Sequence, residues 1–265
     1  MVSRSMWKGS ISFGLVNIPA KVYLATENRE LSFNQLCPNG HKIQYKRWCP
    51  IDEKEIGYAD VKKGYQVSKD IYIAIDKKDI ENIKLKTTTT IDVKEFIEAK
   101  ELDPILIERS YYVAPDTKRG SVDKAYSLLV RILSETNKIA IGKVVFKDKE
   151  HVVALRAYQR GIVMHILHYL DEIRPVDEIE GFTDAQKIKT DNKEELSLGK
   201  LLVENLSSKH FDMSKYSDSY TKELKKLVEA KSKGKTYAKP VVKEKEGTKD
   251  LVAALKASLE KTKRE

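Results

Sequence analysis

What most constrains this chain is the alternation of apolar and polar residues over short stretches of its first two-thirds. Ile11, Phe13 and Leu15 alternate with Ser10, Ser12 and Gly14, and Ala20, Val22 and Leu24 alternate with Lys21, Tyr23 and Ala25. A period of two puts each set on its own face of a strand, one face toward a core. Residues 43–48, 71–75, 89–96 and 105–113 are rich in β-branched and aromatic types and are expected strands as well. Pro19, Pro104 and Pro115 stand at the ends of such runs, where a missing N–H does least harm.

The period then changes. Ser121 is a plausible N-cap, and Val122, Ala125, Tyr126, Leu129, Val130 and Leu133 keep helical spacing to about Asn137. Strands resume at 139–147, 151–158 and 162–169, with Arg160 and Gly161 as a turn. Many short strands around one helix make an α+β, predominantly β chain, a barrel or strongly curled sheet. After an acidic stretch, Leu198, Leu201, Leu202 and Leu206 share one helix face, and Tyr216, Tyr220, Leu224, Leu227 and Val228 another, closed by Gly234. Residues 235–248 have little to bury and read as a basic flexible linker. A last amphipathic helix within 249–265 presents Leu251, Val252, Leu255 and Leu259; so short a helix needs something to pack against.

Charge is segregated. The 265 residues carry 49 Lys and Arg against 40 Asp and Glu, a net +9 that favours an anionic partner such as nucleic acid. Residues 231–265 hold 11 basic and 5 acidic side chains, and 31–51 hold no acid at all while Lys42, Lys46 and Arg47 cluster beside His41. Residues 138–160 hold six bases against Asp148 and Glu150, whereas 171–195 hold nine acids against four bases. The longest apolar runs fall far short of the roughly 20 residues that span a bilayer. Two cysteines are too few for a disulfide scaffold and fit a reduced, cytosolic protein.

Signatures of catalysis are missing: no phosphate-binding glycine loop, no Gly-x-Ser-x-Gly elbow, no His-Glu-x-x-His helix. Asp171 with Glu172, and Glu194 with Glu195, read as solvated pairs. His165 and His168 are expected on opposite faces of one strand, as core or surface filling. Cys37, His41, Cys49 and Asp52 form a Cys-x3-His and a Cys-x2-Asp pair, two knuckles that make a candidate structural zinc site. Its departure is Asp52, a harder oxygen where structural sites use Cys or His.

Several segments together resemble the prokaryotic Ku proteins. They are Met6-Trp7-Lys8-Gly9-Ser10-Ile11-Ser12-Phe13-Gly14-Leu15-Val16-Asn17-Ile18-Pro19, Ile43-Gln44-Tyr45-Lys46-Arg47, residues 103–112, residues 124–129 and the tail 250–259. The resemblance covers essentially the whole chain. It implies a Ku-type β-barrel core over 1–180, including a strand-built, DNA-encircling bridge at about 30–65, then a helical C-terminal arm over 181–234. It implies a homodimeric ring on double-stranded DNA ends, acting without catalysis or a required cofactor in non-homologous end joining, in the cytoplasm with the nucleoid. The partner implied is an ATP-dependent DNA ligase, with the Leu251, Val252, Leu255 and Leu259 face as its docking segment or, equally, a face folded on the chain's own core. The bridge of that family looks like a modified zinc ribbon, matching Cys37 to Asp52. The longer lysine-rich tail of some members is expected to be missing.

A ring that accepts any end must grip phosphates, which carry no sequence information directly. Candidate wall residues are Lys42, Lys46 and Arg47, with Lys8, Lys21 and Arg109 as flanking choices. On a regular strand Lys42 and Lys46 share a face and Arg47 takes the other, so Arg47 is the first to drop. A phage-type end protector that blocks nucleases without recruiting ligase is the alternative within the same chemistry. A nuclease is disfavoured because no clustered acids suit two metals.

Overall fold

The computed structural model describes residues 4–76, 78–80, 89–117, 124–147, 149–188, 192–235, 237 and 251–262. It divides into two units, Met1–Arg174 and Pro175–Glu265. In the first, seven strands close a barrel: β1 (Trp7–Phe13), β2 (Val16–Leu24), β7 (Thr90–Glu98), β8 (Ile107–Pro115), β9 (Lys138–Phe146), β10 (Lys149–Tyr158) and β11 (Gly161–Leu167). The order around it is β1-β2-β8-β11-β10-β9-β7. Every pairing is antiparallel except the one that closes the ring, β1 with β7, in register Ser10↔Thr90, Ile11↔Ile91 and Ser12↔Asp92.

Inward residues follow the period-two pattern: Ile11, Ile18, Ala20, Val22, Ile91, Tyr111, Val113, Val144, Val153, Leu155, Ile162 and Met164 are all buried in one cluster. Helix α1 (Lys124–Thr136) adds Tyr126, Leu129 and Leu133 to that cluster. Each buried Val, Leu, Ile or Met among them contributes about 1.5–3 kcal/mol. Ser121 and Val122 lie outside the described residues. A smaller outer cluster of Ile139, Ala154 and Leu167 is covered by Leu102 and Leu106 from the crossing between β7 and β8.

Local chemistry moves several expected boundaries. Leu15 is fully exposed rather than inward, because Gly14 takes φ +58° and turns β1 into β2. Residues 104–106 form a 3₁₀ turn, not strand: Pro104 presets its start and Asp103 Oδ1 accepts from the Ile105 N–H at 3.0 Å. Where β7 bulges between Val93 and Glu95 against β9, a Cβ on Gly142 would lie 2.6 Å from the Asp92 carbonyl oxygen.

Between β2 and β7 the chain builds two small antiparallel sheets, β3 (Trp48–Cys49) with β4 (Lys54–Glu55), and β5 (Lys63–Ser68) with β6 (Ile71–Ile75). The expected strand over 43–47 is absent; an isolated bridge joins Leu36 to Lys42, and the Ile43 N–H donates to the Gln35 carbonyl at 3.1 Å. No residue of 25–76 is buried.

In the second unit, the short α2 (Phe182–Lys187) precedes α3 (Lys193–Leu206) and α4 (Ser219–Ser232). Asn192 and Asp218 cap α3 and α4 with side-chain oxygens, and Tyr216 precedes α4 instead of joining it. Gly234, at φ +65°, follows α4. Helix α5 (Leu251–Thr262) packs on α3, with Lys256 Nζ 2.9 Å from Glu194 Oε1. Leu259 is the one buried residue among the described residues of this unit. The expected linker 235–248 lies almost wholly outside the described residues.

The Tyr126 hydroxyl ties α1 to the barrel, donating to the Val113 carbonyl at 2.6 Å and accepting from the Ile162 N–H at 3.1 Å. Its pKa is raised by burial, so the phenol stays protonated. Replacing Tyr126 by Phe strands both backbone groups and is expected to cost about 1–3 kcal/mol in urea unfolding. An unchanged midpoint would show that the hydroxyl is not a structural tie.

Candidate nucleic-acid interface

The cations that could meet an anionic partner fall into two groups, those with a carboxylate of their own and those without. Lys21 belongs to the first: its Nζ lies 2.5 Å from Asp116 Oδ1, with both side chains shielded to 12% and 13% exposure. Lys46 is paired too, 2.9 Å from Glu55 Oε2, but there both groups are open to water. The hydrogen bond from Lys46 and the charge of Glu55 raise the lysine's pKa. On β9, Lys138 meets Glu98 at 3.2 Å and Lys143 meets Glu150 at 2.8 Å, so two of the six bases of 138–160 are neutralised in place.

Among the described residues, Lys8, Lys42, Arg47, Arg109, Arg156 and Arg160 have no carboxylate within salt-bridge distance. Lys8 points outward from β1, opposite Lys21 in register. Arg109 stands exposed near the start of β8. Lys42 is exposed at its isolated bridge, and Arg47 lies over the Tyr58 ring at 4.7 Å. The choice of Lys46 over Arg47 held for a regular strand, and residues 43–47 are not one: among the described residues, only Ile43, through its N–H to Gln35, and Arg47, through its carbonyl to Ile56, make backbone hydrogen bonds to other segments. Lys42 and Arg47 are free of acids, whereas Lys46 must give up Glu55 to bind an anion.

The two knuckles fold individually. Cys37 Sγ lies 3.7 Å from His41 Nδ1 and accepts from the His41 N–H, around a turn with Gly40 at φ +81°. Cys49 Sγ accepts from the Asp52 N–H at 3.5 Å. They do not combine. The Asp52 carboxylate lies 3.6 Å from the Lys54 ammonium, and no group of three or more candidate ligands gathers among the described residues. Cys37 with His41 and Cys49 with Asp52 thus stand as two separate pairs among the described residues.

The four apolar residues expected as a docking face on the tail are divided. Leu259 is buried, Val252 and Leu255 are half-buried, and Leu251 is exposed. Sequence reasoning passed over a network on the outer wall of the barrel, where Arg156 donates to His165 and lies over Tyr158, itself stacked on Tyr112. Strand parity alone places Arg156 and His165 outward, since Leu155 and Met164 point in; that was the available signal. His168 lies beyond the end of β11 and meets Glu172 at 3.5 Å.

Residues 12–198 match the model of the Ku family, described as the Ku70/Ku80 beta-barrel domain. This chain belongs to the Ku family. A Non-homologous end joining protein Ku of Archaeoglobus fulgidus is 41% identical over 98% of this chain and 100% of its own length. Proteins of the same name from Desulfitobacterium hafniense and Bacillus subtilis are each 36% identical, covering 97% and 98% of this chain and 88% and 83% of their own. In this Ku-family chain the closed seven-strand barrel is the part the resemblance implied. No helix among the described residues is long and apolar enough to cross a membrane.

The division of cations is testable through stability. Lys21→Ala removes the charge beside a shielded carboxylate and is expected to cost about 1–3 kcal/mol in chemical denaturation, while Lys42→Ala stays within about 0.5 kcal/mol of the parent. Equal stability of the two variants would contradict the assignment of Lys21 to structure.

Proposed function

We propose that this chain binds the ends of double-stranded DNA without reading sequence, as a homodimeric ring in non-homologous end joining. The names of its relatives and its family support the pathway. The observation that carries the ring is the excursion 25–76: an ordered segment with two sheets and not one buried residue. A two-stranded hairpin is marginal alone in water. Here β5 and β6 show Tyr65, Val67, Ile71, Tyr72 and Ile73 to solvent at 57–65% exposure. An apolar hairpin exposed on both faces marks an interface, and a second copy of the same chain supplies the complementary hairpin in closed symmetry. Two excursions joined in this way close a loop around a duplex.

Unpaired Lys42 and Arg47 on that excursion suit the backbone of DNA, which offers one charge per roughly 1.7 Å of duplex axis. The ring confers end preference by sterics, so no base contact and no catalytic group is needed. The ends are then presented to an ATP-dependent DNA ligase, for which exposed Leu251 on α5 is the accessible part of the docking face.

Ile71→Glu with Ile73→Glu tests the reading. The double variant is expected to sediment as a monomer, to lose binding to linear duplexes of unrelated sequence, and to return ligation to the rate of ligase alone. Its barrel should stay folded, with unchanged far-UV circular dichroism, since no core residue changes. A dimer that still binds ends would contradict the proposal.

A further inference from the structure

On the outer wall of the barrel β8, β11 and β10 lie side by side. Outward parity belongs to Ser110 and Tyr112 on β8, to His165 on β11, and to Arg156 and Tyr158 on β10. His165 is 6% exposed, the one buried polar residue among the described residues. Its Nδ1 lies 2.8 Å from Ser110 Oγ, and its Nε2 lies 3.0 Å from Arg156 Nε. A guanidinium only donates. Nε2 must therefore accept from Arg156, which leaves the imidazole proton on Nδ1, shared with Ser110. Burial first, and the Arg156 charge second, lower the His165 pKa and keep the ring neutral.

This wiring uses only the Nε–H of Arg156. The guanidinium is shelved over the Tyr158 ring at 5.3 Å, and Tyr158 stacks on Tyr112 at 6.2 Å and 27°. The four terminal N–H groups remain for a ligand, and among the described residues no carboxylate pairs with them. That contrasts with Lys138 and Lys143 one strand away, which are neutralised. Beside the aromatic pair a cleft of about 400 Å³ is lined by Tyr112, Tyr158, Arg160 and Gly161, bringing a second cation without a carboxylate partner to the same wall. A fixed, uncompensated guanidinium with its forked end open matches the geometry of a phosphodiester.

We infer that Arg156, oriented by His165 and shelved on Tyr158, is a seat for a DNA backbone phosphate on the barrel wall, with Arg160 as its second cation. Arg156 touches the phosphate; His165 is a positioning residue that accepts from Nε so that the fork faces out. The inference rests on the proposed DNA-binding function and adds a site that the bridge cations do not include.

The test is a salt series with the full chain and a short linear duplex, read by fluorescence anisotropy between about 50 and 200 mM salt. The parent is expected to show a steep linear fall of log affinity with log salt. Arg156→Ala should reduce that slope by about 0.9 for each phosphate it leaves without a cation and weaken binding about tenfold at the upper salt. Arg156→Lys should restore the slope while leaving affinity several-fold low, because a point charge cannot fork. His165→Gln can still accept from Arg156 and donate to Ser110, so it should match the parent; His165→Leu should weaken binding with the slope kept. Should Arg156→Ala not fold, Arg156→Gln, which can still donate to His165, decides by the same slope. A neutral variant that folds and keeps the parental slope overturns the seat alone. A parent with no salt dependence overturns the DNA-binding reading itself.

Discussion

The rest of the molecule depends on one pairing, the parallel contact of β1 with β7 that closes the barrel. The Ser10 N–H donates to the Thr89 carbonyl at 2.9 Å, and the Ser10 and Thr90 hydroxyls meet at 3.3 Å. Gly9 allows the approach: a Cβ there would overlap the Thr89 carbonyl oxygen. Closure removes both sheet edges, so this unit presents no unpaired barrel strand to a neighbour. The inward set of seven strands is then satisfied by itself and by α1. Because the core is complete without it, residues 25–76 between β2 and β7 can lie wholly at the surface, with none of them buried.

Electrostatics divides along the same line. Strand-borne lysines are largely spent within the fold, as in Lys21 with Asp116 and Lys143 with Glu150. Among the described residues of the first unit, the cations without an acid partner include Lys42 and Arg47 on the excursion and Arg156 and Arg160 beside the stacked tyrosines. A net charge of +9 therefore understates the contrast, because what an anion meets is set by which cations have no acid beside them. Among exposed groups that distinction is one of degree: Lys46 and Glu55, both open to water, gain little from each other and can part for a phosphate.

The barrel was legible in the sequence because period two marks strands such as β2, while β11, buried on both faces, shows instead as a nearly unbroken apolar run, and α1 because its apolar positions recur at helical spacing. Legibility stopped where burial stopped. Residues 43–47 carry β-forming types yet have no partner strand and no core to align on, so the composition that suggested a strand, and the face argument built on it, had nothing to enforce them. Leu15 and Ile105 were drawn off their strands by Gly14 and by the Asp103–Pro104 turn. Pairing between distant residues was invisible in one dimension: nothing near Lys21 announces Asp116, and nothing near Arg156 announces His165. The knuckles read correctly as turns, but whether Cys37 and Cys49 share a ligand sphere is a matter of where two exposed loops lie.

The central claim is enclosure: a complete barrel and a partner-joined excursion surround the duplex, and only a free terminus can enter. The most direct measurement compares a linear duplex with a covalently closed circle of the same sequence and length, at matched salt and protein concentration. The account predicts stable capture of the linear form and only weak, rapidly reversed association with the circle, with capture restored when the circle is cut once. Equal and equally long-lived binding to intact circle and linear duplex would contradict it.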